Sequence, residues 1–346
     1  MFLFRPIIAT VATVLLTFTA GASQSVQTRI RTQLVDLATG VTRDLLATET
    51  RVRAARWSPD GRRIVVQVSS GGPFTIRVLN RDGSGVRSYP VTPEPINVQF
   101  VWSAKGRSVA FRTMEGLFAL DLGNGSTRRL GPQLHPHHLA WGIGEGTVTV
   151  ARILNLPAGP PYHVQIFDSP LDGAEKLLRD ISTEFPTEDA LGYFVSSKAF
   201  VLLNPKRVIV DPYGTQHVLP GEGPRVGAPG ATPDGQWLLF GVGKKGDNTR
   251  QLELIDVKHD VAKVINLPFE ARMAGFSRPS LLPNHKAAVV LGRENSDGPW
   301  KFFYVPVDGG TPRVLVTISG NPVPFHFDIS PDGKTLAYSF VQPDRR

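Results

Sequence analysis

Three histidines, in the segment His135-Pro136-His137-His138, form the densest group of potential metal ligands in the chain. On an extended chain, a His-x-His pair can direct two imidazole nitrogens to the same side, which suits a divalent metal. Such a site also needs a carboxylate or a further imidazole, and the candidates are Glu188, Asp189 and His326. The favoured interpretation is a solvated loop whose histidines hydrogen-bond to nearby backbone groups. We therefore assign no metal ion, cofactor or catalytic residue.

Cationic side chains recur in the segments that precede the predicted inner strands of the repeats described below. The predicted binding residues are Arg53, His135, His137, His138, Arg225, Arg278 and His326. Arginine forks bind carboxylates and phosphates with two parallel hydrogen bonds, so an anionic small molecule or an acidic peptide is the expected guest. Tyr162 and Trp300 fall in neighbouring links, where they either stack on a ligand or pack against the protein. The alternative is that these loops are polar only because they are exposed.

A repeated turn sequence indicates which elements position these residues. Its clearest copies are Arg56-Trp57-Ser58-Pro59-Asp60-Gly61 and Asp328-Ile329-Ser330-Pro331-Asp332-Gly333. In all, seven copies, some of them degenerate, recur at a period of about 45 residues. Pro fixes φ, Asp hydrogen-bonds to the local backbone and Gly supplies a positive φ, so each copy predicts a hairpin between two apolar strands.

A weaker second hairpin follows each copy, as at Leu117–Leu130, and two hairpins give four strands per period. Four-stranded units at this period predict an all-β fold, a seven-bladed β-propeller, with six blades as the alternative. Residues 28–46 supply only the second kind of hairpin and residues 325–340 only the first. We therefore expect strands from both termini to close the last blade, which hides sheet edges that would recruit other strands.

The Ser-Pro-Asp-Gly turns, paired with Asp-x-x-x-Gly turns, resemble the WD40-like (PD40) repeats of the TolB propeller group. They also resemble the propeller of prolyl-oligopeptidase-type peptidases. The resemblance implies a propeller scaffold and no particular reaction, because the matched residues form turns and core. A serine peptidase is not expected, since the chain contains no Gly-x-Ser-x-Gly nucleophile elbow. The predicted seven blades and the missing α/β domain also separate the chain from TolB, which has six blades, so a role in the Tol-Pal system or binding to Pal is not inferred.

Composition narrows the possible partners. The chain has 38 Lys and Arg against 30 Asp and Glu, and no Cys, which excludes disulfides and thiolate metal sites. The basic residues are scattered and occur in no long run, so we expect peripheral attraction to anionic surfaces and no nucleic-acid site. The predicted function is a non-enzymatic propeller, expected to be a monomer, that binds an envelope or extracellular protein or an anionic ligand. The predicted binding surface is the loop face, which carries the segments that precede the inner strands. The alternative is a propeller hydrolase or lyase, with or without a metal ion, at the His-rich channel mouth.

The first 22 residues have the parts of a cleavable secretory signal: Arg5, an apolar stretch from Pro6, and Ala20-Gly21-Ala22 before Ser23. Thr13, Thr17 and Thr19 interrupt the stretch, which is shorter than the about 20 apolar residues that span a bilayer. The sequence thus predicts a signal at residues 1–22, one propeller domain at residues 23–346, and a periplasmic or secreted protein.

The first prediction concerns this signal. Protein purified from outside the cytoplasm should begin at Ser23, because a small-x-small end is the cleavage pattern of signal peptidase. N-terminal sequencing checks it, with a variant carrying Ala20→Arg and Ala22→Arg as the uncleaved control. Soluble cytoplasmic protein that retains Met1 would contradict it.

Overall fold

The computed structural model describes residues 29–342 except 48, 50, 70–71, 94, 96–99, 114, 131–137, 142–146, 155–161, 171–175, 184–191, 197–198, 203–207, 211–215, 222–224, 233–234, 244–247 and 274–277. All of the elements in these residues are β-strands, so the fold is all-β as the sequence predicts. No helix that could cross a membrane occurs in this part of the chain.

The strands follow one another along the chain as short antiparallel meanders. The first two are β1 (Arg29–Asp36) and β2 (Thr42–Leu45). Groups of four follow: β3 (Arg51–Trp57), β4 (Arg63–Ser69), β5 (Thr75–Asn80) and β6 (Arg87–Tyr89); β7 (Val101–Trp102), β8 (Ser108–Thr113), β9 (Gly116–Asp121) and β10 (Thr127–Leu130). Next come β11 (His138–Trp141), β12 (Thr147–Leu154), β13 (Tyr162–Pro170) and β14 (Lys176–Thr183); β15 (Gly192–Ser196), β16 (Ala199–Leu202), β17 (Val208–Val210) and β18 (Gln216–Val218). Then follow β19 (Arg225–Ala231), β20 (Trp237–Val242), β21 (Thr249–Asp256) and β22 (Val261–Ala271); β23 (Ser280–Leu281), β24 (Ala287–Arg293), β25 (Lys301–Pro306) and β26 (Arg313–Thr317). The last two strands are β27 (Asn321–Ile329) and β28 (Thr335–Gln342).

The Ser-Pro-Asp-Gly turns form the hairpins that the sequence predicts. After β3, the Ser58 hydroxyl donates to the Asp60 carboxylate over 2.6 Å, and the Gly61 N–H donates to the Ser58 carbonyl over 2.8 Å. Gly61 has φ 67°, a conformation that suits glycine because it lacks Cβ. The turn at residues 330–333 repeats the same bonds, with 2.6 Å from the Ser330 hydroxyl to the Asp332 carboxylate. Local turn chemistry therefore determines where the chain reverses.

Strands from both ends of the chain share one meander. β1 pairs antiparallel with β28 from Arg29 opposite Gln342 to Asp36 opposite Thr335. β28 pairs with β27, and β1 pairs with β2, which gives the order β27-β28-β1-β2. This confirms that the two termini close the last blade.

Two of the sheets continue across predicted blade borders. One parallel pair, Ile30 opposite Arg51, joins the closing meander to β3, and Glu270 opposite Arg293 joins β22 to β24. These links make eight-stranded sheets of some neighbouring meanders. The propeller fold is therefore observed, whereas the count of seven blades stays a prediction.

The core lies between neighbouring meanders. Trp102 of β7 packs in one buried cluster with Val65 and Ile76 of the preceding meander. Trp57 of β3 packs with Leu34 of the closing meander. Both tryptophans are therefore the inter-blade core residues that their repeat positions predict, and their burial holds adjacent blades together through the hydrophobic effect.

Arginines on outer strands join each of three meanders to the next one. Each lies two residues before the buried residue of its strand and donates to backbone carbonyls in the turn between the third and fourth strands of the next meander. The bonds run from Arg43 to the carbonyl of Arg81 over 2.7 Å, from Arg87 to that of Leu122 over 2.8 Å, and from Arg313 to that of Leu37 over 2.7 Å. An arginine at the same position of three outer strands thus donates hydrogen bonds to turn carbonyls across a blade border.

A further ion pair connects the closing meander to the meander β3–β6. Arg81, next to β5, lies 2.6 Å from the Asp332 carboxylate in the turn of the closing meander. Burial opposes the shift, but hydrogen bonds from Arg81, Ser330 and the Lys334 N–H lower the pKa of Asp332 from 3.8 to about 2. A depressed carboxylate pKa contributes stability above the pKa of the unfolded chain, and this stability disappears as the pH falls through the folded pKa.

The second prediction is the pH dependence of this pair. Arg81→Gln should lower the free energy of unfolding at pH 7 by about 0.5–1 kcal/mol, a small value because the side chains are 40% and 35% exposed. The difference from wild type should shrink below pH 4, become small near pH 2, where the Asp332 carboxyl of folded wild type is about half protonated, and vanish only at lower pH. Urea unfolding at several pH values measures it, with the exposed Arg107→Gln as the control. A difference that is the same at every pH would contradict it.

Candidate functional site

A cavity of about 330 Å³ lies where inner strands from four meanders meet. It is lined by residues of β3, β19, β23 and β27, by the turns that follow them and by Arg278 just before β23; the other lining residues are Trp57, Pro59, Gly230, Ala231, Ser280, Leu281, Pro283, Asp328, Ile329, Ser330 and Pro331. Inner strands of a propeller surround its central channel. The cavity is therefore part of that channel, and we call it the channel cavity.

Asp328 is the acidic residue in this lining. Its Oδ2 accepts a hydrogen bond from the Trp57 backbone N–H over 2.8 Å, and its Oδ1 accepts one from the N–H of Ile329 over 3.1 Å. Burial of the carboxyl group raises the pKa of Asp328, while the charges of Arg56 and Arg278 and the two N–H donors act in the opposite direction. A buried carboxylate in a cleft with cationic neighbours is the kind of group found at functional sites.

Arg56 precedes Trp57 and lies at the same border. Its Nη1 donates to the Phe327 carbonyl over 3.3 Å and to the carbonyl of Ala55 over 3.1 Å. Its own carbonyl accepts the indole N–H of Trp102 over 3.1 Å. A line of hydrogen bonds thus crosses two blade borders around the channel, and it orients Arg56 beside Asp328.

Among the predicted binding residues whose side chains the structure describes, Arg278 is the one in the lining of the channel cavity. It lies just before β23, its side chain is exposed, and its charge lowers the pKa of Asp328. The cavity therefore combines an exposed cation with a desolvated acid. Such a pair can hold an anionic group at Arg278 and accept a donor at Asp328.

Arg53 lies in β3, and its side chain contacts residues of its own meander. Its Nε donates to Gln67 Oε1 over 3.0 Å, and its guanidinium lies 4.0 Å from the centre of the Phe74 ring. Gln67 in turn donates to the Pro95 carbonyl over 2.9 Å. Arg53 is not in the described lining of the channel cavity, so it does not share this cavity with Arg278.

For the other predicted binding residues, the structure describes at most the backbone. His135 and His137 lie outside the described residues. His138 begins β11, Arg225 begins β19 and His326 lies within β27, and the side chains of all three are outside the described part. The sequence places four of the predicted binding residues in the links that precede inner strands, and this placement is wrong because all four lie within strands: Arg53, His138, Arg225 and His326. β27 begins as early as Asn321, with its register shifted between Pro322 and Phe327.

The metal hypothesis receives no support from the described part of the chain. No group of three or more His, Asp or Glu residues there is close enough together to hold a metal ion. The His135-Pro136-His137-His138 segment contributes nothing to this test because residues 131–137 lie outside that part. A metal at the histidines therefore stays untested.

Sequence reasoning missed Asp328 and Arg56 as site residues. Both occupy the repeat position four residues before the turn Asp, where other copies have Gly230 and Ser280. All four belong to the inner strands around the channel cavity. A comparison of the copies at this one position would have found two opposite charges on the first and last inner strands.

Comparisons with known proteins agree on the fold. No family model matches the chain, and no curated protein matches it. A solved structure described as TolB from Agrobacterium tumefaciens has a TM-score of 0.51 at 16% identity and covers 92% of this chain and 99% of its own. Oligogalacturonate lyase from Vibrio parahaemolyticus has a TM-score of 0.65 at 12% identity over 90% of this chain and 97% of its own.

A second oligogalacturonate lyase, in complex with manganese, has a TM-score of 0.62 at 11% identity over 91% of each chain. The chain therefore has a TolB-like, WD40-like β-propeller fold. Because these identities are low, the similarity establishes the fold alone and says nothing about chemistry.

The third prediction tests the role of Asp328. Asp328→Ala should lower the free energy of unfolding by about 3 kcal/mol, because it leaves the Trp57 N–H and the Arg56 charge without their carboxylate partner. Asp328→Asn should cost about 1 kcal/mol, since its carboxamide oxygen still accepts the N–H. Denaturant unfolding of both variants measures this. Equal losses for the two, or none, would show that the carboxylate does not organise the site.

Proposed function

We propose that this chain is an exported, non-enzymatic β-propeller that binds an envelope or extracellular protein, or an anionic ligand, on its loop face. Arg278 at the channel cavity is the residue around which the ligand binds. Arg53, Arg225 and His326 contribute further positive charge from neighbouring inner strands, together with His135, His137 and His138. Residues 1–22 direct export, residues 23–346 form the single domain, and the protein acts as a monomer.

The observation that carries this proposal is an exposed cation at the lining of the channel cavity, beside a carboxylate that is already hydrogen-bonded. The Asp328 carboxylate already accepts two backbone N–H groups, one from Trp57 and one from Ile329. Arg278 is exposed at the lining of the same cavity. A ligand with a carboxylate or phosphate group can therefore approach Arg278 without displacing the bonds that hold Asp328.

A cavity of about 330 Å³ accommodates one small anionic group or an acidic side chain, whereas a folded partner needs the surrounding loops as well. Two proteins of similar fold are named for oligogalacturonate, a chain of acidic sugars. That name supports an anionic guest as the probe to test first. It does not support lyase chemistry here, since only the fold is shared.

The alternative, a hydrolase or lyase at the channel mouth, rests on histidines that lie outside the described residues or whose side chains do. No described observation favours it over binding. The loss of activity on histidine substitution would be its own test, independent of Arg278.

The fourth prediction concerns binding. Charge reversal of Arg225 and Arg278 together should abolish capture of the partner, because two predicted binding cations become acidic, and the melting temperature should change little since Arg278 is exposed. Pull-down from the envelope fraction with mass spectrometry identifies a protein partner, and calorimetry with oligogalacturonate tests an anionic ligand. Wild-type binding should weaken as salt rises.

The matched control is reversal of Arg250, an exposed cation on β21 outside the channel cavity. It changes the net charge in the same direction and should leave binding nearly intact. If the Arg225 and Arg278 variant binds as wild type does, the ligand binds elsewhere and the proposal is wrong. If the Arg250 variant loses binding equally, the attraction is general and not site-specific.

A further inference from the structure

Two arginines flank one aromatic ring at the border between β22 and β24, away from the residues of the channel cavity. The guanidinium of Arg272 lies 5.0 Å from the centre of the Trp300 ring, and that of Arg293 lies 4.9 Å from the same centre. Two like charges are therefore held close together beside an aromatic surface. Cations can lie over an indole ring because its face is negative, but the ring does not neutralise them.

Within the part of this border that the structure describes, negative charge is scarce. Glu270 Oε2 lies 3.5 Å from Arg293 Nε and also accepts a hydrogen bond from Asn248 over 3.4 Å. Arg293 donates besides to the Ser296 carbonyl. Among the described residues, no ion pair or hydrogen bond engages the guanidinium of Arg272. The described residues of this border thus carry one carboxylate, which pairs with Arg293, and two guanidinium groups, which leaves a net positive charge among them.

Partial burial of Arg272 raises the free-energy cost of this net positive charge. Arg272 is partly buried, and burial lowers the pKa of its guanidinium, with the neighbouring Arg293 lowering it further. A desolvated cation beside a like charge is stabilised when an anion binds between the two. Desolvation and the nearby charge of Arg293 therefore both favour binding of an anion beside Arg272.

The backbone holds the two arginines in place. Glu270 and Ala271 of β22 pair with Arg293 and Gly292 of β24, across a blade border. At Gly292 a Cβ would lie 2.6 Å from the Glu270 carbonyl oxygen and 2.6 Å from the Phe269 ring. The absence of a side chain at this position allows the close approach, and Phe269 stacks on Phe303 beneath it with ring centres 3.7 Å apart. The cationic pair is thus built on a rigid, packed border.

We propose that Arg272 and Arg293, beside Trp300, form a binding site for the oxyanion of a ligand, a carboxylate or a phosphate group. The two guanidinium forks supply several N–H donors to one anionic group, and Glu270 holds Arg293 in position while competing with the ligand for it. Trp300 supplies an apolar surface beside the anion for the rest of the ligand. The site is separate from the channel cavity and does not depend on the proposed function.

Calorimetric titration of the full mature chain with inorganic phosphate, and in a second arm with glucuronate, tests this site at low, matched ionic strength. At least one probe should bind wild type, and the better one shows which oxyanion the site prefers. Arg272→Gln should raise its Kd about tenfold, because charge-assisted hydrogen bonds are lost. Arg250→Gln, which removes an exposed charge from the neighbouring strand β21, should leave the Kd unchanged.

Glu270→Gln is the decisive variant, since it should lower the Kd several-fold by removing the competing carboxylate while the carboxamide oxygen still accepts the Asn248 bond. Melting temperatures confirm that each variant is folded. A Kd that is unchanged in Arg272→Gln, a Kd that rises equally in Arg250→Gln, or no binding of either probe would overturn the proposal. Arg278→Glu should have no effect on this Kd, so the two sites fail separately.

Discussion

The pairing of β1 with β28 is the interaction on which the rest of the structure depends, because its eight residue pairs join the two ends of the chain into one meander. Its register is fixed by buried polar groups as well as by backbone bonds. The Thr32 hydroxyl donates to the Val52 carbonyl over 2.7 Å and lies 2.8 Å from the Ser339 hydroxyl, so it connects β1, β3 and β28 at one point. A shift of one residue would turn these hydroxyls to the wrong face and leave them without partners. Closure is therefore specific in register.

The channel cavity lies at the same seam. The bond from the Trp57 N–H to Asp328 and the bond from Arg56 to the Phe327 carbonyl both cross from β3 to β27, the first and last inner strands. No short loop connects these two strands, so only closure keeps them together. The geometry of Asp328 is consequently a property of the closed ring, and any change that loosens β1 against β28 also alters the acid in the channel.

The sequence predicts the parts of this fold that depend on local chemistry. The Ser58–Gly61 turn is encoded in four consecutive residues, and the complementary half-repeats at the termini predict the β1–β28 pairing. Asp328 was not predicted as a site residue, because its burial depends on Trp57, which lies 271 positions earlier in the chain. The Arg272 and Arg293 pair was missed for a similar reason, since Gly292 and a strand pairing across a border bring the two together. Local signals determine turns, whereas these sites arise only from packing between blades.

Positive charge in this chain has two different uses, and the distinction explains why net charge alone identifies no partner. Arg43, Arg87 and Arg313 donate to turn carbonyls of the next meander, so their donors serve the fold. Such arginines still add to the long-range attraction for acidic surfaces, but they offer few free N–H groups to a ligand. Arg272 differs from them, because its charge is partly buried and has no acidic partner among the described residues. The positive charge that could attract an anion therefore depends on the partners of each guanidinium group, and the repeat does not dictate the residue at the border where Arg272 lies.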